Sequence, residues 1–284
     1  MIVNSKEMLI HARKEGYAVP AVNTQGGNFD IIRAICLAAE QMDSPIILAH
    51  YISTGAYAGD DWFKEVAEHW AGKVKVPVAI HLDHGDSFET CKKCVDLGFT
   101  SIMIDGSPLD LEENARLTNQ VIDLCGKKGI PVEAEIGALI RLDDTGTAVT
   151  SPNIVDPEEV YKFLQLCQPD SLAIGIGNAH GFYNTAPDIR LDVLEKVRVF
   201  SDIPLVLHGC TGMNEDIIKK AILLGVAKIN FGTQIRYQYV EHLQSTITEM
   251  DHKGHSFMIM NRASDMLIED VKKIIELSGS FGKA

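Results

Sequence analysis

The chain has 284 residues, is 46% hydrophobic and carries a formal net charge of −13 at pH 7. That charge argues against nucleic-acid binding, which relies on clustered Lys and Arg side chains. No apolar run is long enough to span a bilayer, and the N-terminal residues lack a signal-peptide pattern. Six scattered cysteines are typical of reduced thiols. We therefore expect a cytoplasmic protein with neither a nucleic-acid nor a membrane partner.

Apolar, β-branched runs alternate with longer amphipathic segments along the chain. The runs predict buried parallel strands at Tyr17–Asn23, Pro45–His50, Val76–Leu82, Ser101–Asp105, Pro131–Gly137, Ser171–Gly177, Pro204–Gly209 and Ala227–Phe231. The segments between them predict helices, among them Asn28–Met42, Leu111–Lys127, Glu158–Cys167, Asn214–Leu224 and Thr233–Met250.

Eight strands with intervening helices in about 250 residues predict a (β/α)8 TIM barrel. A further C-terminal helix is expected over 261–278. An open doubly wound sheet is the alternative, but its glycine fingerprint does not follow the first strand. Since the sequence shows neither a linker nor a repeat, we expect residues 1–284 to form one domain.

Polar side chains stand at or just beyond the end of every predicted strand. Active sites of such barrels form at the C-terminal ends of the strands. We therefore expect one site to be assembled from these residues: Asn23, His50, Asp83, His84, Asp105, Glu135, His180, His208 and Asn230.

Three of the histidines are each followed by glycine: His84, His180 and His208. A catalytic zinc site takes three protein ligands and leaves a position for water or substrate. Glycine lets the backbone approach a ligand closely, so the repeated pair favours a zinc site. His81 is interpreted either as a residue supporting this site or as a buried core histidine. His50 is expected either to contact substrate or to face solvent.

Glycine-rich turns follow the last three strands: GIGNAHG (175–181), HGCTGM (208–213) and NFGT (230–233). Backbone amides in such turns, and the N-terminus of a following helix, bind phosphate. Thr211 and Thr233 would add hydroxyl donors. These turns predict a phosphate site beside the metal.

In order and spacing, seven motifs resemble the class II metal-dependent ketose-bisphosphate aldolases, especially the tagatose-bisphosphate and short fructose-bisphosphate branch. They are AVPAVN, HLDHG, SIMIDGS, VEAEIG, SLAIGIGNAHG, PLVLHGCTG and KINFGT. The resemblance covers nearly the whole chain. It implies a lyase of carbohydrate metabolism, in glycolysis or a related route, that cleaves a ketose 1,6-bisphosphate to dihydroxyacetone phosphate and glyceraldehyde 3-phosphate.

The resemblance also implies roles for individual residues. It makes His84, His180 and His208 the ligands of a catalytic Zn²⁺, with Asp105 and Glu135 as acidic metal positions. Asp83 becomes the acid/base at the C4 hydroxyl, and Asp143 the loop carboxylate that exchanges the proton at C3. Substrate and phosphate contacts, with a monovalent Na⁺ or K⁺ nearby, are implied for Asn23, Gly181, Gly209, Thr211, Gly212, Asn230, Gly232 and Thr233.

The long segment 138–156 departs from the family pattern. It has the length of a lid over the site and reads Ile140-Arg141-Leu142-Asp143-Asp144. Asp143 is one methylene shorter than the glutamate of relatives, and Asp144 is the alternative. These departures surround the substrate, so another phosphorylated ketose or a deoxy-keto sugar acid is a second hypothesis.

A metal-binding, non-catalytic assembly subunit is a third hypothesis. Relatives form dimers or tetramers, and some need a non-catalytic partner subunit. The resemblance therefore implies a homodimer or homotetramer, with such a partner as a further option.

Overall fold

Strands and helices alternate along the chain. The structure, a computed structural model, describes residues 1–137, 140–141 (backbone), 154–181, 183, 187–251 and 253–284. The strands are β1 Val19–Asn23, β2 Ile46–Tyr51, β3 Val78–Gly85, β4 Ser101–Ile104, β5 Val132–Ile136, β6 Ile140–Arg141, β7 Ser171–Ile174, β8 Ala179–His180, β9 Leu205–Leu207 and β10 Val226–Phe231. The helices are α1 Lys6–Glu15, α2 Phe29–Gln41, α3 Asp60–Ala71, α4 Phe88–Leu97, α5 Leu111–Gly126, α6 Pro157–Leu166, α7 Leu191–Phe200, α8 Glu215–Leu223, α9 Thr233–Glu249 and α10 Ser256–Ser278.

Eight parallel strands close into a barrel in the order β1-β10-β9-β7-β5-β4-β3-β2. This arrangement confirms the predicted (β/α)8 barrel and excludes the open sheet. The two-residue strands β6 and β8 pair separately, and Arg141 lies opposite His180 in that ladder. A parallel barrel brings the C-terminal ends of all its strands to one face.

Two apolar layers hold the barrel together. Between the strands and the surrounding helices lie fully buried side chains such as Ile35, Phe63 and Phe163. Inside the barrel, Met8 and Leu9 of α1 pack against strand residues at its N-terminal end. Helix α1, which precedes the first strand and was not predicted, therefore covers the end opposite the predicted site.

Element boundaries differ from the prediction for identifiable reasons. The strands predicted from Pro45, Pro131 and Pro204 each begin one residue later, because proline has no N–H to donate to the ladder. Helix α10 begins at Ser256 instead of 261. Its first turns expose Phe257, Met258 and Met260, so no buried periodicity marks them in the sequence.

Across the part of the chain that the structure describes, none of the helices combines the length and apolar character needed to cross a membrane.

Candidate metal centre

Three histidines converge at the C-terminal face of the barrel. His84 lies near the end of β3, His180 ends β8 and His208 directly follows β9. One ligand nitrogen of each lies within 4.8 Å of the other two. The ring centroids of His84 lie 5.0 Å from His180 and 4.6 Å from His208. The structure thus brings the three predicted ligands together, and their binding of a metal stays a prediction.

The backbone around His84 is shaped to present its ring. The pairing of β3 with β4 shifts register between Leu82 and Gly85, and His84 adopts a positive φ of 53°. Residues other than glycine rarely adopt this backbone conformation, and those that do are concentrated at functional sites. A Cβ on Gly85 would lie 2.6 Å from the Met103 carbonyl oxygen. Glycine after this histidine therefore permits the close backbone approach expected from the sequence.

His84 and His208 each have one nitrogen held by a carboxylate and one left over. His84 Nδ1 lies 2.8 Å from an oxygen of Asp105, and His208 Nε2 lies 3.0 Å from an oxygen of Glu133. The opposite nitrogens, His84 Nε2 and His208 Nδ1, are buried and have no hydrogen-bond partner among the described residues. Carboxylates behind metal-bound imidazoles orient such ligands. The donor set therefore fits a divalent cation.

Asp105 and Glu135 form an acidic group beside His84, with ligand atoms within 4.8 Å of one another. Burial, and then the charge of Asp105, raises the pKa of Glu135 to about 8. Burial would lower the pKa of His84, but the hydrogen bond with Asp105 and the charges of Asp83 and Glu135 raise it to about 10. A cation here would displace protons from these groups.

Asp83 lies on β3 beside the imidazoles of His84 and His208. Its Oδ1 accepts a hydrogen bond of 3.1 Å from Asn230 Nδ2 and lies 3.9 Å from His208 Nδ1. Burial would raise the pKa of Asp83, but the positive charges that face it, that of His84 first, outweigh burial and lower it. Asp83 is therefore an ionised carboxylate that is oriented by a neighbouring amide, as a general base requires.

The glycine turns after β9 and β10 lie next to this group. Thr211 is buried, and its hydroxyl oxygen accepts a hydrogen bond of 3.3 Å from the Gln234 amide in the first turn of α9. Helix α9 begins at Thr233 after Gly232. A Cβ on Gly232 would contact the Asn23 side chain at 3.4 Å. The ends of β1, β9 and β10 thus surround one helix N-terminus, which suits an anion.

The remaining predicted contact residues are placed as follows. Gly181, Gly209 and Gly212 all have positive φ, at 117°, 68° and 73°. The Asn23 side-chain oxygen accepts hydrogen bonds from the backbone and side chain of Gln25, so part of this amide is used within its own turn. Asp143, Asp144 and the side chain of Arg141 lie outside the described residues.

The expectation that His50 contacts substrate or faces solvent is wrong. His50 neither reaches a substrate position nor faces solvent, because its side chain is fully buried and stacks on Phe63 with ring centroids 4.4 Å apart. Its Nε2 lies 2.8 Å from Asp60 Oδ1. The next residue, Tyr51, instead points toward the site, with its ring centroid 6.1 Å from that of His84. Alternation along β2 puts these neighbours on opposite faces.

Two charged residues inside the barrel were not among the predicted site residues. Glu133 bonds His208, and Lys228 Nζ lies 2.8 Å from Glu133 Oε2. Each stands two positions before a predicted residue, Glu135 or Asn230, and therefore on the same face of its strand. That alternation is the sequence signal that could have identified them. His81 is buried and contacts Lys228 rather than the three converging histidines directly.

The chain matches the model of the family described as fructose-bisphosphate aldolase class-II over residues 3–283. It belongs to the class II fructose-bisphosphate aldolase family.

Solved structures of similar proteins agree with this assignment. The YdjI aldolase from Escherichia coli K12 is 31% identical, with all of both chains covered and a TM-score of 0.87. A Coccidioides immitis protein provisionally named as a fructose-1,6-bisphosphate aldolase is 29% identical over 98% of this chain and 96% of its own, also with a TM-score of 0.87. Fructose-bisphosphate aldolase from Campylobacter jejuni shares the fold, with a TM-score of 0.81 at 20% identity over 100% of this chain and 97% of its own.

Membership settles the reaction class. The chain is an aldolase, a lyase that makes or breaks a carbon–carbon bond. Class II aldolases depend on a metal and act on phosphorylated sugars. The two buried nitrogens of His84 and His208, which have no hydrogen-bond partner among the described residues, are consistent with that metal dependence.

Gly209 offers a test of how tightly the backbone is packed behind this aldolase site. A Cβ at Gly209 would lie 2.1 Å from the Ala179 carbonyl oxygen, whereas one at Gly129, with a similar φ of 66°, would meet nothing within 4 Å. We expect Gly209→Ala to lower the free energy of unfolding by at least about 1 kcal/mol more than Gly129→Ala, because only the former is overpacked, and to lower the bound metal content. Urea denaturation and metal analysis measure both effects. Equal destabilisation by the two substitutions would contradict the proposed clash.

Proposed function

We propose that this chain is a zinc-dependent aldolase that reversibly cleaves a ketose 1,6-bisphosphate of the tagatose or fructose type. The products are dihydroxyacetone phosphate and glyceraldehyde 3-phosphate. The observation that carries the proposal is that His84 and His208 each bury one nitrogen with no hydrogen-bond partner in the described part of the chain, near His180 and ionised Asp83.

Zinc is the cation that this ligand set suits best. Three imidazoles from His84, His180 and His208 are a known catalytic zinc set and leave a further position for substrate oxygen. Asp105 and Glu135 lie beside His84 and would hold the cation in an alternative position. When bound, a divalent cation supplies Lewis acidity that draws electron density from a substrate carbonyl.

Asp83 is the proposed base for carbon–carbon cleavage. It accepts the proton of the C4 hydroxyl as the bond between C3 and C4 breaks, and Asn230 holds its carboxylate in place. Lys228 is unsuited to form a Schiff base with the ketone, because its ammonium group is buried and bonded to Glu133 and His81.

The turns after β7, β9 and β10 are the proposed phosphate site. Gly181, Gly209, Gly212 and Gly232 shape the backbone of these turns, while Thr211 and Thr233 donate hydroxyl groups, with Na⁺ or K⁺ as a neighbouring cation. Asn23 and Asn230 contact the sugar. Local binding groups are needed, since the net charge of −13 repels anions at long range. A fixed phosphate positions the reacting carbons.

The proposed setting is the cytoplasm, in carbohydrate metabolism, with a homodimer or homotetramer as the assembly. A non-catalytic partner subunit is an additional proposed component.

Asp143 is the proposed loop carboxylate that exchanges a proton with dihydroxyacetone phosphate. We expect Asp143→Ala to abolish exchange of the substrate proton with deuterated solvent, because no carboxylate then reaches the reacting carbon, and Asp144→Ala to retain it. Proton NMR of dihydroxyacetone phosphate incubated with each variant measures the exchange. The reverse pattern would move the role to Asp144.

The substrate proposal is tested by product release. Purified protein is assayed for dihydroxyacetone phosphate formed from tagatose and fructose 1,6-bisphosphates, before and after chelation and after adding back Zn²⁺. We expect cleavage of at least one sugar, loss of activity on chelation and recovery with Zn²⁺, because the metal stabilises the charge that develops on the ketone.

The other possible outcomes would favour the alternative hypotheses or contradict the mechanism. Zinc binding without cleavage of either sugar would favour another phosphorylated ketose or a deoxy-keto sugar acid, or a non-catalytic subunit. Cleavage that persists in the fully metal-depleted protein would contradict the mechanism.

Asp83→Asn tests the proposed base, because the amide keeps the shape of the carboxylate but cannot accept the proton. We expect kcat to fall by about 10²- to 10⁴-fold while the bound metal is retained. Asp86→Asn is the control, since Asp86 is exposed just beyond β3 and bonds Ser87 and Thr90. Steady-state kinetics and metal analysis measure both variants. Comparable kcat values for the two would exclude Asp83 as the base.

A further inference from the structure

A chain of buried polar side chains runs through the barrel interior beneath the metal centre. Each member is at most 4% exposed. In order from the metal centre, the members are His208, Glu133, Lys228, His81, Ser101 and Ser5. Charged residues are almost never fully buried unless they are paired. The burial of Glu133 and Lys228 in this series of hydrogen-bonded side chains therefore calls for an explanation beyond packing.

Lys228 fixes the direction of the hydrogen bonds. Its ammonium group has three hydrogens and no acceptor. Three acceptors surround it: the two Glu133 oxygens at 3.0 and 2.8 Å and His81 Nε2 at 3.2 Å. His81 must therefore accept at Nε2 and donate from Nδ1 to the Ser101 hydroxyl, which lies 2.7 Å away.

The same directions assign the tautomer of His208. Both Glu133 oxygens accept from Lys228 Nζ, so the contact of 3.0 Å between Oε1 and His208 Nε2 requires a hydrogen on that nitrogen. In the neutral ring, the lone pair then lies on Nδ1, the buried nitrogen that faces Asp83 and the other histidines. Only a nitrogen with a free lone pair can bind a metal.

Lys228 balances the charge of Glu133. Lys228 Nζ donates to both Glu133 oxygens, at 3.0 and 2.8 Å, and Oε1 is shared between this ammonium and His208 Nε2. The pair therefore presents only an acceptor to His208.

We propose that Glu133 and Lys228 form a positioning pair that holds His208 in the tautomer that presents Nδ1 to the metal. This inference rests on the proposed role of His208 as a metal ligand. Neither residue of the pair contacts substrate in this proposal, so both act through His208.

Metal affinity tests the pair without reference to catalysis. The variants are Glu133→Gln, which can turn its NH₂ group toward His208 and select the other tautomer, and Glu133→Gln combined with Lys228→Met, which removes both buried charges. Asp270→Asn is a matched control, because Asp270 also bonds a histidine nitrogen, of His242 at 2.7 Å, and a lysine, Lys273 at 2.9 Å, but on α9 and α10 outside the barrel.

Metal-free proteins, verified as folded by circular dichroism, are titrated with Zn²⁺ against a chromophoric chelator and with Co²⁺ by its visible absorption. We expect roughly a 10- to 100-fold weaker Kd for both Glu133 variants, an altered Co²⁺ spectrum, and an unchanged Kd for Asp270→Asn. If Glu133→Gln does not fold, the Kd of the charge-neutral double variant tests the inference.

A Kd equal to that of the unsubstituted protein in the double variant would overturn the inference. That result would mean that any weakening in Glu133→Gln comes from the unpaired Lys228 charge. Absence of metal binding by the unsubstituted protein would overturn the proposed function itself, which is a separate outcome.

Discussion

A buried imidazole nitrogen without a hydrogen-bond partner destabilises a protein, typically by about 1–3 kcal/mol. Among the residues that the structure describes, this barrel places two such nitrogens at one point, on His84 and His208. Carboxylates behind both rings, Asp105 and Glu133, fix which nitrogen is left over. A cation bound by these nitrogens would offset this cost, and the proposed chemistry depends on that cation.

The barrel interior is apolar at its N-terminal end and contains charged side chains farther along its axis. At the N-terminal end, Met8 and Leu9 of α1 pack against apolar strand residues. Glu133 and Lys228 form a buried ion pair farther along, bonded on one side to His208 and on the other to His81. Buried ion pairs are weak sources of stability. Their presence here is better explained by their effect on His208 than by any contribution to folding.

Much of the fold was predictable from the sequence, because parallel strands buried on both faces give continuous apolar runs with polar ends. That pattern placed eight barrel strands and the convergence of His84, His180 and His208. Periodicity could not show helix α1, which buries few residues, or the exposed first turns of α10. His50 was misjudged because the sequence does not show which face of β2 turns inward at its last residues.

The supporting residues of the site were harder to predict than its ligands. Glu133 and Lys228 stand within apolar strands, where a charge signals a buried partner but does not identify it. Their pairing depends on barrel closure, which brings β5 and β10 within reach through the interior although β7 and β9 lie between them, and only the three-dimensional arrangement shows this. For the proposed loop carboxylate, the sequence offers two neighbouring candidates, Asp143 and Asp144.

Anomalous diffraction at the zinc edge, from crystals of the metal-loaded protein, would locate the proposed ion. We expect one strong peak at about 2.0–2.1 Å from a nitrogen of each of His84, His180 and His208, with His208 bound through Nδ1. A peak bound elsewhere, or a zinc-loaded active protein in which His208 turns Nε2 to the ion, would contradict this proposal.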